Sequence, residues 1–516
     1  MTRWMWTVGA ACLGLATTAL AASATPAPDR ARGIAAAWRQ THETQILTDF
    51  TTFLAMPDVA TTIPDVEANA AYLQAQLEAR GFEVRILRAA PGTPPSVFAQ
   101  LKTPGATRTV LYYAHYDGQP ISQKGWVSPP FTPTMRSGPL SANAPVVDWR
   151  AAPAPRDPQW RIFARAAGDD KASIQALLSA FDAMKAAGVA PSVNIKLFYE
   201  GEEEQGSPHL RTIVEANRDL LKTDLIVMGD GPMHQSGRQL VNFGSRGVMG
   251  FTLKVYGPLR PLHDGHYGSW APSPAVEMAY LITSLRAENG DIKIPHFYDD
   301  VVPPSAADLA ALAALPPIEG QLEHDLGFSR PITSARLADS YFRPTLNVRA
   351  VHVGDTGPNA ANAIATSAEA SFDFRLAPGE TPARVKVLVM DDLARMGWRV
   401  TSAPPTSEER ARDAKIVELH WDPGESTAVR TPLDNPAAQA AVRAISAEEG
   451  GPILQMPMVG ASSGMAEMVD VLKVPMVGVS IANYDDNQHA ENENLRLKNL
   501  WDGIAVYTAL LSDLNW

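Results

Sequence analysis

Strand-like and helix-like stretches alternate through the first half of this chain, and that alternation restricts the fold more than any other feature of the sequence. "EANAAYLQAQLEARG" carries apolar residues at helical spacing and stops at glycine, and "FEVRIL" after it reads as a strand. "RTVLYYAHYDG" is a buried strand with a polar end. "DDKASIQALLSAFDAMKAAG" places Ile174, Leu177, Leu178, Phe181 and Met184 on one helical face. "NIKLFYEG" is a strand, "SPHLRTIVEANRDLL" a helix and "LIVMGDG" a strand. Strands separated by helices predict an α/β fold with a mostly parallel, doubly wound sheet covered on both faces.

From about Val241 the texture changes. "GVMGFTLKVYG", the helix "SPAVEMAYLITSLRAENG", "TLNVRAVHVG", "SAEASFDFRL", the helix "TPARVKVLVMDDLARMG" and "KIVELHW" give strand, helix, strand, strand, helix, strand. That order predicts a smaller α+β unit of split-βαβ type. After about Ser426 a helix and the strand "VPMVGVSI" resume the first texture. The expected division is 32–238 and 426–516 for one domain in two pieces, with 239–425 inserted. A Pro/Ala-rich stretch near 132–158 reads as a surface insertion.

A chain of 516 residues, 45% hydrophobic and 19% charged, is too long for one compact domain. Residues 1–24 have one basic residue, Arg3, an apolar run and small residues at Ala19-Leu20-Ala21, the pattern of a signal peptide cut after Ala21 or Ala24. A secreted or periplasmic protein is therefore expected, with an uncleaved anchor as the rival reading. The single cysteine, Cys12, lies in this segment, and "GAAC" lacks the bulky apolar residue that a lipoprotein signal wants. Without thiols, any metal must be held by His and carboxylates. A net charge of -12 disfavours nucleic acid or an anionic membrane as a partner.

Several expected strands end in groups able to bind metal: His115 and Asp117 in "AHYDGQP", Glu200, Glu202, Glu203 and Glu204 in "YEGEEEQGS", Asp230 in "MGDG", and His489 in "NQHAEN" after the last strand. Asp169 and Asp170 precede a helix. Each alone has a plain alternative: a satisfied loop pair, a helix N-cap, a solvated acidic face, an exposed loop histidine. Together, in order and each after a strand, they converge on the crevice at the carboxyl ends of a parallel sheet. His and carboxylates without thiolate suit zinc, manganese or cobalt, as a pair of ions.

With these residues in view the sequence resembles the M20 family of metallopeptidases, and within it the carnosinase-like dipeptidases. The motifs are "HYDGQP", "DDK", "EGEEEQGS", "GD", "LHDG" and "QHAENE". The resemblance implies that His115 and Asp230 bind one metal, Glu204 and His489 the other, and that Asp169 bridges them. It makes Glu203 the general base and Asp117 the group that orients His115. It implies that His263, in a lid and dimerisation domain, reaches the partner subunit of a homodimer. It gives Arg375 the substrate carboxylate, and it matches Asn347 and Ser462 to substrate-binding positions. The implied reaction is hydrolysis of dipeptides, or of C-terminal residues of small peptides, by a metal-bridging hydroxide. One glutamate of the adjacent pair would ligate while its neighbour stays free as the base, because a ligated carboxylate is a poor base.

Two rivals remain at this stage: a deacylase of the same fold acting on N-acyl amino acids, and a catalytically inactive binding or scaffold homologue. His266, His352 and His420 read as structural. The sequence also departs from the family pattern. "ARAAGDDKA" has alanine at 164, 166 and 172 where the family writes glycine, "GASSG" replaces the usual Gly-Gly-Ser, and the Pro-rich insertion stands where it would narrow or cover a pocket.

Overall fold

The computed structural model describes residues 30–121, 124–462 and 464–516, so the expected signal peptide lies outside the described residues. An eight-stranded sheet runs in the order Glu83–Leu87, Ser96–Leu101, Asn194–Glu200, Thr109–His115, Leu225–Met228, Met476–Gly478, Leu240–Asn242, Leu454–Met456. Its four central strands are mutually parallel, as the strand and helix alternation predicts, while the Glu83–Leu87 and Ser96–Leu101 side is antiparallel. Alternate residues of each strand face opposite ways. Val110, Tyr112 and Ala114 pack under the helices Arg30–Leu54, Lys171–Ala186, Pro436–Glu449 and Leu497–Ser512, whereas Leu111 and Tyr113 pack on the other face against Leu210–Ala216. The helix read as one piece from Ser207 is two, Leu210–Ala216 and Arg218–Leu221, divided at Asn217.

A second sheet, ordered Thr345–His352, Ser367–Leu376, Gly247–Tyr256, Ile416–Trp421, Arg399–Thr401, is the inserted lid unit. The helices Pro274–Leu285 and Pro382–Arg395 cover one face around Phe251, which stacks on Phe372 and Phe374 at 4.8 and 5.4 Å. Leu240–Asn242 belongs to the large sheet, so the chain crosses into the small one a few residues later than 239.

A segment with no counterpart in the sequence reading ties the two sheets together. Helix Ala306–Ala314 and the turn Ala338–Phe342 lay Leu312, Leu315 and Phe342 against Leu240, Leu454 and Met458 at the edge of the large sheet. The Pro-rich stretch is tied into a small sheet of its own, Thr134–Arg136 pairing with Arg161–Phe163, which also pairs with Asn494–Arg496. Trp149 enters the main core, Arg156 Nη1 donates to Thr44 Oγ1 at 2.8 Å, and the Arg156 backbone N–H donates to Glu43 at 2.7 Å.

One buried carboxylate makes stability pH-dependent. Glu448, 3% exposed, accepts a hydrogen bond from Arg32 Nε at 3.0 Å, and burial pushes it up to about 7. Its folded-state affinity for a proton exceeds the unfolded one, so its contribution is full below the ordinary carboxylate range and is lost as pH rises through about 7. Glu448→Gln is expected to flatten the decline in melting temperature between roughly pH 5 and 8, read by thermal unfolding across that range.

Candidate metal centre and substrate cavity

The carboxyl ends of the parallel strands deliver the site. Thr109–His115 ends in His115, Asn194–Glu200 runs on to Glu203 and Glu204, Leu225–Met228 leads to Asp230, and Asp169 lies two residues before the helix Lys171–Ala186. His489 arrives from the loop beyond Met476–Gly478. Parallel strands bring these ends to one rim, which is why residues far apart in sequence meet there.

Two donor sets form. His115, Asp169 and Asp230 present ligand atoms all within 4.8 Å of one another, and so do Asp169, Glu204 and His489. Asp169 belongs to both. Its Oδ1 lies 2.9 Å from His115 Nε2, and its Oδ2 lies 3.1 Å from His489 Nε2. His489 Nε2 is also 3.3 Å from Glu204 Oε2.

The tautomer of His115 follows from its other nitrogen. Nδ1 lies 3.0 Å from the Asp117 carbonyl, which only accepts, so Nδ1 carries a proton. Nε2 of a neutral ring then turns a lone pair toward the Asp169 carboxylate, and a proton or a cation must hold that pair together. The Asp117 carboxylate accepts the backbone N–H groups of Glu203 and Glu204 at 3.1 and 3.0 Å. Asp117 thus fixes the glutamate turn with its carboxylate and orients His115 with its backbone carbonyl.

The electrostatics call for positive charge. Burial, reinforced by Asp169, pushes Glu204 up to about 10 and Asp230 up to about 6. Burial also raises Glu203 well above the carboxylate range. Burial alone would raise Asp169 too, yet hydrogen bonds from His115 and His489 hold it below its ordinary value. Four acidic groups packed around two imidazoles, all oxygen and nitrogen donors, fit hard or borderline divalent cations. Glu200 and Glu202, left unassigned by the sequence, are buried and partnered: Tyr113 Oη donates to Glu200 at 2.7 Å, and the His209 backbone N–H donates to Glu202 at 3.0 Å.

Three supports escaped the sequence reading. Gln488 Nε2 donates to Asp169 at 2.7 Å, and Gln119 Nε2 donates to Glu204 at 2.6 Å. Glu493, fully buried, accepts the backbone N–H groups of Ala166, Gly168 and Asp169 at 3.0, 3.0 and 3.1 Å and pairs with Arg165 at 2.9 Å. "QHAENE" contained Gln488 and Glu493, but nothing in their spacing distinguishes them from the polar residues beside them. Ala166 stands at φ 59°, a left-handed conformation that glycine adopts freely and that costs alanine roughly 1 kcal/mol. The alanine-for-glycine departure is therefore real backbone strain, and Glu493 is what holds the strained turn.

A cavity of about 580 Å³ opens from the donor sets, walled by Asp169, Glu203, Asp230, His489, Arg246 and Ser462, among others. No residue of the Pro-rich stretch lines it. The remaining sequence-derived residues lie farther out. Arg375 donates through Nη1 to Ser462 Oγ at 3.0 Å and through Nε to Asp373 at 3.1 Å, behind the wall. Asn347 is exposed on its strand, 3.4 Å from Thr345 Oγ1, and is not part of the wall. His263 is exposed on the inserted unit, its ring centre 4.6 Å from that of His266 and tilted 42° to it, and is likewise not part of the wall.

Residues 111–513 match the family model described as peptidase family M20/M25/M40. The chain belongs to that family. It is 25% identical over 432 residues to the Cys-Gly metallodipeptidase dug1 of Schizosaccharomyces pombe, covering 82% of this chain and 83% of that protein. It is 24% identical over 431 residues to the human Beta-Ala-His dipeptidase, covering 82% and 78%. Its fold matches an M20 family metallo-carboxypeptidase from Sulfolobus solfataricus with a TM-score of 0.74 at 24% identity, over 91% of this chain and 99% of that one. The M20 chain is a hydrolase of the metallopeptidase class.

The expectation of a secreted or periplasmic protein is corrected. The Cys-Gly metallodipeptidases of Schizosaccharomyces pombe, Candida albicans and Saccharomyces cerevisiae, all similar to this chain, are cytosolic enzymes. The expectation rested on an apolar, small-residue start alone. A chain without cysteine beyond Cys12 bears no mark of an oxidising compartment, so composition gave that start no second support. Among the described residues no helix is long and apolar enough to cross a membrane.

Removing Glu493 tests the loop that presents Asp169. Glu493→Ala leaves a buried arginine and three N–H donors unpaired and is expected to destabilise the fold by about 3–5 kcal/mol. Denaturant titration followed by tryptophan fluorescence reads the loss.

Proposed function

We propose that this M20 hydrolase cleaves dipeptides, or the C-terminal residue of small peptides, with two divalent cations, zinc in the native enzyme. One would be held by His115, Asp169 and Asp230, the other by Asp169, Glu204 and His489. One observation carries the reading: two donor sets share Asp169, while Glu203, in neither set, faces the same cavity. The Cys-Gly and Beta-Ala-His dipeptidases named above support the choice of substrate.

Such cations, when bound, supply Lewis acidity toward a carbonyl and lower the pKa of water to near neutrality. The chain's own residues do the rest. Glu203 takes the proton of the attacking water and returns it to the leaving amine nitrogen, a proton transfer worth about 10²–10⁴-fold in rate. Asp117 acts through others: it holds the Glu203–Glu204 turn by two backbone N–H groups and keeps His115 in the tautomer whose Nε2 is free to ligate. Ser462, with Arg375 behind it, marks the end of the cavity at which a substrate carboxylate is held. The exposure of His263 supports a homodimer in which it serves the partner's site and stabilises the oxyanion. Residues 32–238 and 426–516 would then form the catalytic domain, and 239–425 the lid.

Metal analysis and kinetics test this together. The purified protein is expected to take up two divalent ions per chain and to lose hydrolysis on chelation, with zinc, manganese and cobalt compared for recovery. Glu203→Gln is expected to keep both ions and lose about 10²–10⁴-fold in kcat. Near wild-type turnover in that variant would remove Glu203 from the mechanism. In a panel of dipeptides beside N-acetyl amino acids, the dipeptides are expected to be the substrates; the reverse preference makes the protein a deacylase.

A further inference from the structure

The loop beyond Leu225–Met228 runs from Asp230 along the cavity wall and is pinned at several points. Ser480 Oγ donates to the Asp230 carbonyl at 3.0 Å, and the Met233 N–H donates to the Ala482 carbonyl at 2.8 Å. His234 follows, 3% exposed and part of the wall. Its carbonyl accepts the Gly237 N–H at 2.8 Å, closing a turn in which Gly237 stands at φ 72°. That turn brings Ser236 back to the ring. The Ser236 backbone N–H donates to His234 Nδ1 at 3.1 Å, and Ser236 Oγ lies 2.9 Å from the same atom. A backbone N–H can only donate, so Nδ1 carries no proton and the neutral ring keeps its proton on Nε2. Burial, and then the charges of Arg238 and Arg336, hold His234 below the usual histidine value, which favours that neutral ring.

Among the described residues His234 Nε2 has no hydrogen-bond partner. A buried donor left unpaired costs about 1–3 kcal/mol, so this N–H asks for an acceptor from outside the chain. Its surroundings are those of the strut formed by Leu312, Leu315 and Phe342. Leu240, Met456, Val459 and Tyr341, all in the cavity wall, pack in the apolar cluster around those three. Glu319 lies near enough for its charge to act on both His234 and Tyr341, so imidazole and phenol stand at the same end of the cavity. The Tyr341 ring is fixed there: its centre lies 5.6 Å from Arg246 Cζ, and Gly460 leaves room for it, since a Cβ there would fall 2.6 Å from the ring. Arg246 Nε in turn donates to the Gly460 carbonyl at 2.9 Å. Beyond the donor sets the cavity thus ends in an apolar cup that carries one fixed N–H and a phenol hydroxyl. Such a cup, apolar with a few placed polar groups, is the usual build of a selective pocket.

We propose that this cup is the subsite for the side chain of the substrate's C-terminal residue, and that His234, through Nε2–H, selects an uncharged side chain with an apolar stem and a hydrogen-bond-accepting tip. The assignment rests on the peptidase reading and sharpens it. Ser462 lies two residues beyond Gly460, so the cup adjoins the end of the cavity given to the substrate carboxylate. Leu240, Met456 and Val459 suit a stem of methylene groups. A primary amide answers both polar groups: its oxygen accepts from His234, and its nitrogen donates to the Tyr341 hydroxyl. A carboxylate tip would be buried against an uncharged ring with the charge of Glu319 nearby, and an ammonium tip would leave the His234 N–H unanswered.

The test compares alanyl-glutamine, alanyl-norleucine and alanyl-glutamate in the cation-loaded wild type, His234→Phe and His234→Gln. Glutamine and norleucine have stems of equal length and differ in the polar tip. In the wild type kcat/KM for the glutamine peptide is expected to exceed that for the norleucine peptide about 10-fold, because norleucine leaves the N–H unpaired. The glutamate peptide is expected to be cleaved less well than the glutamine peptide. His234→Phe keeps a ring of similar size without the donor, and its glutamine-to-norleucine ratio is expected to fall to near parity. His234→Gln, which restores an N–H, is expected to fall between. Each ratio is taken within one preparation, so a misfolded fraction cancels. A wild-type ratio near parity overturns the proposal. An equal loss on both peptides in His234→Phe overturns it too, since His234 would then serve the backbone or the fold rather than the side chain. Calorimetric binding of free glutamine and free norleucine gives a readout independent of turnover, with glutamine expected about 10-fold tighter in the wild type and not in His234→Phe. If the wild type cleaves no peptide, the peptidase reading falls, and that binding preference alone decides the fate of His234.

Discussion

Asp169 is the group on which the site depends. Its two oxygens face two histidines from opposite ends of the chain, one at the end of a central strand and one in the loop after the last. It is also buried among carboxylates that repel it. Such a position is tenable only if the backbone beneath it cannot relax. Glu493 supplies that constraint by accepting three consecutive-loop N–H groups and an arginine, which holds Ala166 in a conformation it would otherwise leave. The acidic centre thus stands on a second buried carboxylate whose only role visible in the fold is to hold a turn.

What was legible in the sequence followed from period and from strand ends. The central strands, the helix Lys171–Ala186 and the split-βαβ order of the lid have clean apolar patterns, and His115, Glu204 and Asp230 stand where those patterns stop. The helix Arg30–Leu54 was not legible, because its buried stripe begins with Ala31 and Ala35 and includes the polar Glu43 and Thr51. Alanine gives little periodic contrast, and a buried glutamate reads as surface. The strands Leu240–Asn242 and Leu454–Met456 are too short for an alternation to register.

The residues that hydrogen-bond the metal-binding carboxylates and their loop were hidden for a different reason. Gln119, Gln488 and Glu493 act through contacts between segments 85, 319 and 324 residues apart, and a single sequence holds no record of such distances. Arg246 and Tyr341 belong to the same class. One sits in a crossover and the other in a segment of weak pattern, and only folding brings them to Gly460. The acidic run "EGEEEQGS" shows the limit well: composition makes four equivalent glutamates, while the fold buries Glu200 and Glu202 on neighbours and turns Glu203 and Glu204 to the cavity side.

The strut formed by Leu312, Leu315 and Phe342 bears on how the lid can move. Without it, the inserted unit would be held to the rest of the chain chiefly by the paired passages Gly244–Ser245 and Val429–Arg430 and by the Arg375–Ser462 hydrogen bond. With it, a rigid swing of the whole unit must pull three large side chains from the pocket around Leu240, Leu454 and Met458, at about 1.5–3 kcal/mol for each. Rotation of the small sheet is therefore cheap only if the strut stays docked and the chain flexes at its two ends, near residues 299–305 and 342–345. The lid is a platform on three legs, and the third leg also brings Tyr341 to the cavity wall.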